Sequence, residues 1–145
     1  MSFNNSKDIF NDESIVSRHI NNRRYIHKSP QQKVSPVKPD AFVYPEQEKA
    51  LSLVQIDGLS EREIWDIGDN KIFKNAHKSS KEKFKTIARA DMIVRNLKAL
   101  NISGFCIKRD NAGFDRHVTA ISNMEKRLFA NQLSLSCKLV IRLDY

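Results

Sequence analysis

The chain has 145 residues, of which 40% are apolar, and its 25 Lys and Arg against 17 Asp and Glu give a formal net charge of +8. This length favours one domain over two, and no apolar run approaches the roughly 20 residues of a membrane helix or the core of a signal peptide. Cys106 and Cys137 form no CxxC motif or Cys/His cluster. We therefore expect a cytoplasmic protein in a reducing compartment, without a disulfide scaffold, a metal site or a membrane partner.

The first 40 residues differ in composition from the rest. They are basic, hold three of the four prolines and contain few aliphatic side chains, so they bury too little surface to offset the entropy of ordering the chain. The sequence predicts an arm over residues 1–40, partly disordered or draped over the domain, and a single α+β domain over residues 41–145.

The pattern becomes regular after residue 50. The aliphatic run 51–56 ends at Asp57-Gly58 and predicts a buried strand. Ser60 and Glu63 form a capping box for a helix over 60–67, with Gly68 at its end and Trp65 as a core anchor. Residues 71–85, rich in lysine, predict an exposed loop.

A short strand over 86–90 follows, and Asp91 is predicted to cap a helix over 92–100. The segments 104–109 and 115–121 flank a turn-rich link and predict a β-hairpin.

Near the end of the chain, Asn123 is predicted to cap a helix through about Leu133, with Leu128, Phe129 and Leu133 facing inward. Alternating apolar residues from Leu135 to Leu143 then indicate a half-buried strand. These elements predict an α+β fold: a small mixed or antiparallel sheet of about four to five strands with two to three helices.

Familiar catalytic and cofactor motifs, including the Walker loop, GxGxxG, GxSxG and HExxH, are absent from the sequence, and no cofactor is expected. One candidate catalytic group is His117, which strand alternation places on the same face as Asp115, a carboxylate able to orient its imidazole. Arg89 is the candidate anion stabiliser, beside Asp91 at a strand-to-helix junction. The structural alternative, which we favour, makes Asp91 a helix cap, Arg89 its partner and His117 a hydrogen-bonded sheet residue.

Basic residues form a second constellation, with aromatic rings beside them at Tyr25 and Phe84. Lysine and arginine in exposed segments neutralise phosphates, and neighbouring rings stack on unpaired bases. An alternative of equal weight is that these charges only keep the surface solvated and that no nucleic acid binds. The candidate residues for binding nucleic acid or another anion are Arg18, Arg23, Arg24, Lys38, Lys71, Lys74, Lys78, Lys81, Lys83 and Lys85.

Several short motifs together resemble a widespread, functionally uncharacterised family of small bacterial proteins. They comprise Ser17-Arg18, Val37-Lys38-Pro39, Ala41-Phe42, Leu51-Ser52-Leu53-Val54, Ile56-Asp57-Gly58-Leu59-Ser60, Glu63-Ile64-Trp65, Ile67-Gly68, Ala88-Arg89-Ala90-Asp91 and Arg116-His117-Val118. The resemblance implies that the arm drapes over the domain and brings Arg18 and Lys38 near Arg89 and His117, as one cationic pocket. The chain departs from the family at residues 121–124, where relatives have a Gly-Trp-Pro-like element.

Three functions follow from these residues. The leading hypothesis is a basic bacterial accessory protein that binds nucleic acid or an acidic protein surface. The second is a small phosphate-ester-processing enzyme, a nuclease or phosphotransferase, that uses His117 and Arg89. The third is a structural subunit that joins a partner or a second copy through the C-terminal strand.

Overall fold

A single antiparallel sheet of six strands organises the protein, in the order β4-β5-β2-β1-β3-β6. The computed structural model describes residues 10–28, 35–45, 48, 50–76, 84–110 and 113–143. The strands are β1 (Ile15–Ile20), β2 (Leu51–Gln55), β3 (Ala88–Ile93), β4 (Cys106–Arg109), β5 (His117–Ile121) and β6 (Lys138–Ile141). The α+β class is confirmed, but the predicted number of four to five strands is one or two too low.

Within these described ranges, three α-helices accompany the sheet: α1 (Glu61–Ile67), α2 (Val94–Ala99) and α3 (Lys126–Ser136). The larger core contains the β1, β2, β3 and β5 side chains that share one face, together with buried residues of α2 and α3. On the other face, Ile64 of α1 packs with Val54 and Ile56. None of the helices in these described ranges is long and apolar enough to cross a membrane.

Strand β1 corrects the predicted arm. It lies inside the segment 1–40, yet it pairs with β2 on one side and with β3 on the other. Composition does not predict this strand, because it contains the polar residues Ser17 and His19. Both are buried by contacts that form only in the folded protein. Residues 15–20 are therefore an interior strand of the sheet.

Helix α1 follows its local signals. The Ser60 hydroxyl accepts from the Glu63 amide at 3.2 Å, and the Glu63 carboxylate accepts from the Ser60 amide at 3.0 Å, as the capping box predicts. Gly68 keeps a right-handed conformation, with φ −60°, and a π-helical turn over Gly68–Ile72 continues from it. A Cβ on Gly68 would lie 2.2 Å from the Thr86 hydroxyl and 2.7 Å from His19 Cδ2, so this glycine permits close packing.

The boundary between β3 and α2 is later than predicted. Asp91 does not cap the helix: it lies within β3, where it pairs with Ser17 of β1, and Ile93 precedes α2 without a side-chain cap. Pairing with β1 along all six positions from Ile15 to Ile20 extends the strand to Ile93. Tertiary hydrogen bonding outweighs the local capping signal here.

The predicted hairpin is confirmed, since β4 and β5 pair antiparallel. The cap predicted at Asn123 is wrong, because Glu125 caps α3 by accepting hydrogen bonds from the amides of Arg127 and Leu128. Leu128 is 54% exposed instead of facing inward.

The C-terminal alternation is only partly realised. Leu135 belongs to α3 and is exposed, and Leu143 beyond β6 is 86% exposed. Arg142 is buried instead, because its guanidinium donates to Asp69 at 2.9 Å and lies 3.7 Å from the centre of the Phe84 ring. At this end of the chain, Arg142 is therefore buried and Leu143 is exposed, the opposite of the predicted alternation.

Candidate functional site: a cleft where two strands separate

A cleft of about 480 Å³ opens where β1 and β2 separate. The two strands pair only at Val16 with Gln55 and at Ser17 with Val54, whereas β1 pairs with β3 along its whole length. Residues 17–20 of β1 and 52–54 of β2 line the opening. The cleft thus exists because β1 and β2 pair at only two positions. Patterns among neighbouring residues do not predict where such pairing ends.

The side chains lining the cleft are of three kinds. The cationic ones come from β1 and from the segment after α1, and the aromatic ones come from three separate segments of the chain. Among the described residues the cations are Arg18, Lys71 and Lys74, the aromatic rings are Tyr25, Phe73 and Phe114, and the hydroxyl, amide and imidazole groups are Ser17, His19, Asn21, Ser52 and His117. Asp40, the carboxylate among these lining residues, forms an ion pair with Arg127.

Arg18 bridges the gap between the separated strands. Its Nε donates to the Ala41 carbonyl at 2.9 Å, and its Nη1 donates to the Ser52 carbonyl of β2, also at 2.9 Å. Burial lowers the pKa of the Arg18 guanidinium, while Tyr25 and Glu48 act in the opposite direction. An arginine keeps its charge at neutral pH in proteins, so Arg18 brings to the cleft a positive charge held by neutral carbonyl groups.

His117 is oriented by a carboxylate, but that carboxylate belongs to Asp110. The His117 Nδ1 and Asp110 Oδ1 atoms are 2.6 Å apart, and the Thr119 hydroxyl donates to the other Asp110 oxygen. Asp115 instead accepts from Arg109 at 2.8 Å, and this hydrogen bond lowers the pKa of Asp115. The prediction that Asp115 orients His117 is therefore wrong, because the pairing of β4 with β5 places Asp110 opposite His117.

Arg89 does not line the cleft. Its guanidinium donates to both oxygens of Glu61, at 2.8 and 3.0 Å, and to Asp91 at 3.0 Å, and it lies 4.7 Å from the centre of the Trp65 ring. Burial acts against the charged form, but Glu61 and Asp91 together raise the pKa of Arg89. The charge of this arginine is neutralised by its own neighbours.

Asp91 also accepts from the Ser17 hydroxyl at 2.7 Å. Asp91 and Arg89 therefore belong to a buried network beneath α1. The family resemblance implies that Arg18, Lys38, Arg89 and His117 share one pocket. Arg18 and His117 both line the cleft, whereas Arg89 and Lys38 are not among the residues that line it.

The other predicted cations are not among the residues that line the cleft, or lie outside the described residues. Two of them contact lining residues through their side chains: Arg24 donates to the Tyr25 hydroxyl at 2.7 Å and lies over that ring, and Lys85 donates to the Lys74 carbonyl at 2.7 Å. Lys38 contacts Tyr25 through its backbone amide, and Arg23 is exposed on the same turn as Tyr25. Lys78, Lys81 and Lys83 lie outside the described residues.

His19 is a cleft residue that sequence reasoning missed together with β1. Its Nε2 donates to the Ile64 carbonyl at 2.9 Å, and its Nδ1 is buried without a hydrogen-bond partner. Burial lowers the pKa of His19 to about 4, so the ring is neutral at physiological pH. Only the identification of 15–20 as a strand would have predicted a buried position.

No family model, curated protein or solved structure matches this chain. The resemblance to a bacterial family and the cytoplasmic location therefore stay predictions. Among the described residues, no group of three or more side chains has the composition and spacing to hold a metal ion.

Proposed function

We propose that the protein binds single-stranded nucleic acid in the cleft between β1 and β2. The observation that carries the proposal is that Arg18 lines one opening together with Lys71 and Lys74, and that three aromatic rings line it as well. Arg18 is far from the two lysines in the sequence. Random scatter of a solubilising charge would not require them to share one cleft with three rings.

Charge supports a phosphate ligand. Lys71 and Lys74 are exposed at the cleft, and Arg18 is held by carbonyl oxygens rather than by a carboxylate. Each phosphate that these groups neutralise releases condensed counterions and strengthens binding at low salt. The paired Asp40 opposes this attraction only weakly, because Arg127 compensates its charge.

The rings support an unpaired strand. Tyr25, Phe73 and Phe114 line the cleft, and stacking of a base on an aromatic side chain is worth about 1–3 kcal/mol. Bases are free to stack in this way only when they are splayed out of a helix. A volume of about 480 Å³ is in the usual range for a small ligand and suits one part of a strand at a time.

The test is a titration of a labelled single-stranded oligonucleotide, followed by fluorescence anisotropy at several salt concentrations. Lys71→Gln with Lys74→Gln should weaken binding and reduce the salt slope by about 2, since each phosphate contact contributes about 1. Arg95→Gln with Lys98→Gln removes the same charge from α2, where both residues pair with acidic side chains, and should change the slope little. Binding that does not depend on salt would contradict the proposal.

An acidic protein surface would use the same cations without the rings. Phe114→Leu should therefore weaken an oligonucleotide and leave a polyglutamate titration unchanged. If polyglutamate binds as tightly as the oligonucleotide and Phe114→Leu affects neither, the acidic partner is the better assignment.

The edge of the sheet favours a second, compatible role as a subunit. Strand β6 is the last strand on its side, and Ile141 and Leu143 near it are exposed. An unpaired edge with apolar side chains is a template for another strand. A mass from light scattering that stays at 16.8 kDa over a hundredfold range of concentration would remove self-association through this edge.

A further inference from the structure

The hairpin formed by β4 and β5 holds a histidine in one defined orientation at the cleft. Asp110 accepts from Thr119 through one oxygen and lies 2.6 Å from His117 Nδ1 through the other. Thr119 and His117 alternate with buried residues on β5, so both side chains are on one face of the strand. The carboxylate is therefore fixed from two positions of the same strand.

This contact determines which ring nitrogen is available. A carboxylate only accepts, so His117 donates through Nδ1 and, when neutral, keeps the lone pair on Nε2. The hydrogen bond between His117 and Asp110 uses Nδ1 and leaves Nε2 for another partner. The edge-to-face contact with Phe114, at 5.4 Å between ring centres, fixes the ring further. His117 has the arrangement of a general base at the wall of a cationic cleft.

We propose that the protein cleaves RNA bound in the cleft, with His117 as the general base. This inference rests on the proposed function, because the strand must first bind. RNA brings its own nucleophile, the 2′-hydroxyl beside the phosphate, and an internal nucleophile reacts with a high effective concentration. The protein then needs a base and cations, and it has both in one cleft.

The reaction balances without a further reagent. His117 Nε2 takes the proton of the 2′-hydroxyl, and the oxygen forms a bond to phosphorus as the bond from phosphorus to O5′ breaks. The leaving O5′ takes a proton from solvent, and the imidazolium returns its proton to solvent. The products are a 2′,3′-cyclic phosphate and a 5′-hydroxyl. Arg18, Lys71 and Lys74 stabilise the charge that develops on the phosphoryl oxygens.

The roles of the two acidic residues near His117 differ. Asp110 is a positioning residue, which holds the imidazole in the reactive tautomer. Asp115 pairs with Arg109 and is exposed, and the carboxylate hydrogen-bonded to the imidazole is that of Asp110. The pair Asp110→Asn and Asp115→Asn therefore forms a matched comparison of two carboxylates that are five positions apart.

The experiment incubates the full-length protein with a short labelled RNA of mixed sequence and with its 2′-deoxy equivalent, and measures binding and cleavage separately. Wild-type protein should bind both strands and cleave only the RNA, with a cyclic phosphate detected by mass spectrometry. His117→Ala should keep the affinity within about threefold and lower the cleavage rate by at least about 10²-fold, the usual contribution of a general base. Added imidazole should restore part of that rate.

Asp110→Asn should lower kcat with little change in KM, whereas Asp115→Asn should leave both unchanged. Circular dichroism melting curves of each variant show that it is folded, and His117→Gln gives a second variant if His117→Ala unfolds. Binding of RNA without cleavage by the wild type would overturn this inference and leave the proposed function intact. Equal cleavage of DNA, or full activity of folded His117 variants, would also overturn it. Absence of binding to either strand would overturn the proposed function itself.

Discussion

Two arginines on neighbouring strands of the sheet have opposite surroundings. Arg89 on β3 contacts two carboxylates and an indole ring beneath α1, and it is 4% exposed. Arg18 on β1 contacts two backbone carbonyls at the edge of the cleft. The position of a cation in the fold therefore decides its role. A cation beside carboxylates is structural, whereas one held by carbonyl groups at a cleft can attract an anionic ligand.

The two arginines therefore predict a separation of stability from binding. Arg89→Met leaves Asp91 as a largely buried carboxylate without its cation and should lower the free energy of unfolding by about 3–5 kcal/mol. Arg18→Met loses hydrogen bonds from a charged donor and should cost about 1–3 kcal/mol.

Urea denaturation and oligonucleotide titration of both variants measure the two effects. Arg18→Met should reduce the salt slope of binding by about 1, and Arg89→Met should leave the slope unchanged in protein that is still folded. A loss of salt dependence in Arg89→Met and not in Arg18→Met would reverse the assignment of the two residues.

The buried His19 makes stability depend on pH. Its pKa is about 4 in the folded protein, against about 6.5 when unfolded. The unfolded chain therefore binds a proton that the folded chain does not, and stability falls as the pH drops from about 6.5 to 4. The integrated loss is about 3 kcal/mol.

Thermal melting at several pH values between 7 and 4 measures this loss. His19→Gln should make the dependence shallower over that interval, because the titrating ring is gone. An identical pH dependence in the wild type and in His19→Gln would contradict a buried neutral imidazole.

Gly68 tests how tightly the region beneath α1 is packed. Alanine is favoured over glycine in a helical conformation by about 1 kcal/mol, but here its Cβ would lie 2.2 Å from the Thr86 hydroxyl. Overpacking of this kind costs about 1–3 kcal/mol, so Gly68→Ala should be destabilising overall. A higher melting temperature for Gly68→Ala would show that Thr86 and His19 move aside easily.

The elements that sequence predicted well depend on neighbouring residues. The Ser60 and Glu63 capping box, the aliphatic run of β2 and the hairpin of β4 and β5 are all encoded within a few positions. The failures share a different cause. Residues 15–20 and Asp91 are in strands because distant segments pair with them, and no local signal reports such pairing.

The candidate site was predictable only as a list of residues. The sequence indicates that Arg18, Lys71 and Lys74 can bind an anion and that His117 can transfer a proton. The family resemblance implies that Arg18 and His117 lie near each other. Their arrangement around one cleft depends on where β1 and β2 separate. The replacement of Asp115 by Asp110 as the partner of His117 depends on the register in which β4 pairs with β5, and alternation along one strand does not specify that register.

The most direct test of the central claim, that ligands enter between β1 and β2, is a map of backbone amide shifts by NMR during titration with a single-stranded oligonucleotide. Binding in this cleft should give the largest shifts at Arg18, Ser52, Lys71, Lys74 and Phe114, and small shifts along α2. Large shifts on α2 or β6, with none around Arg18, would contradict it.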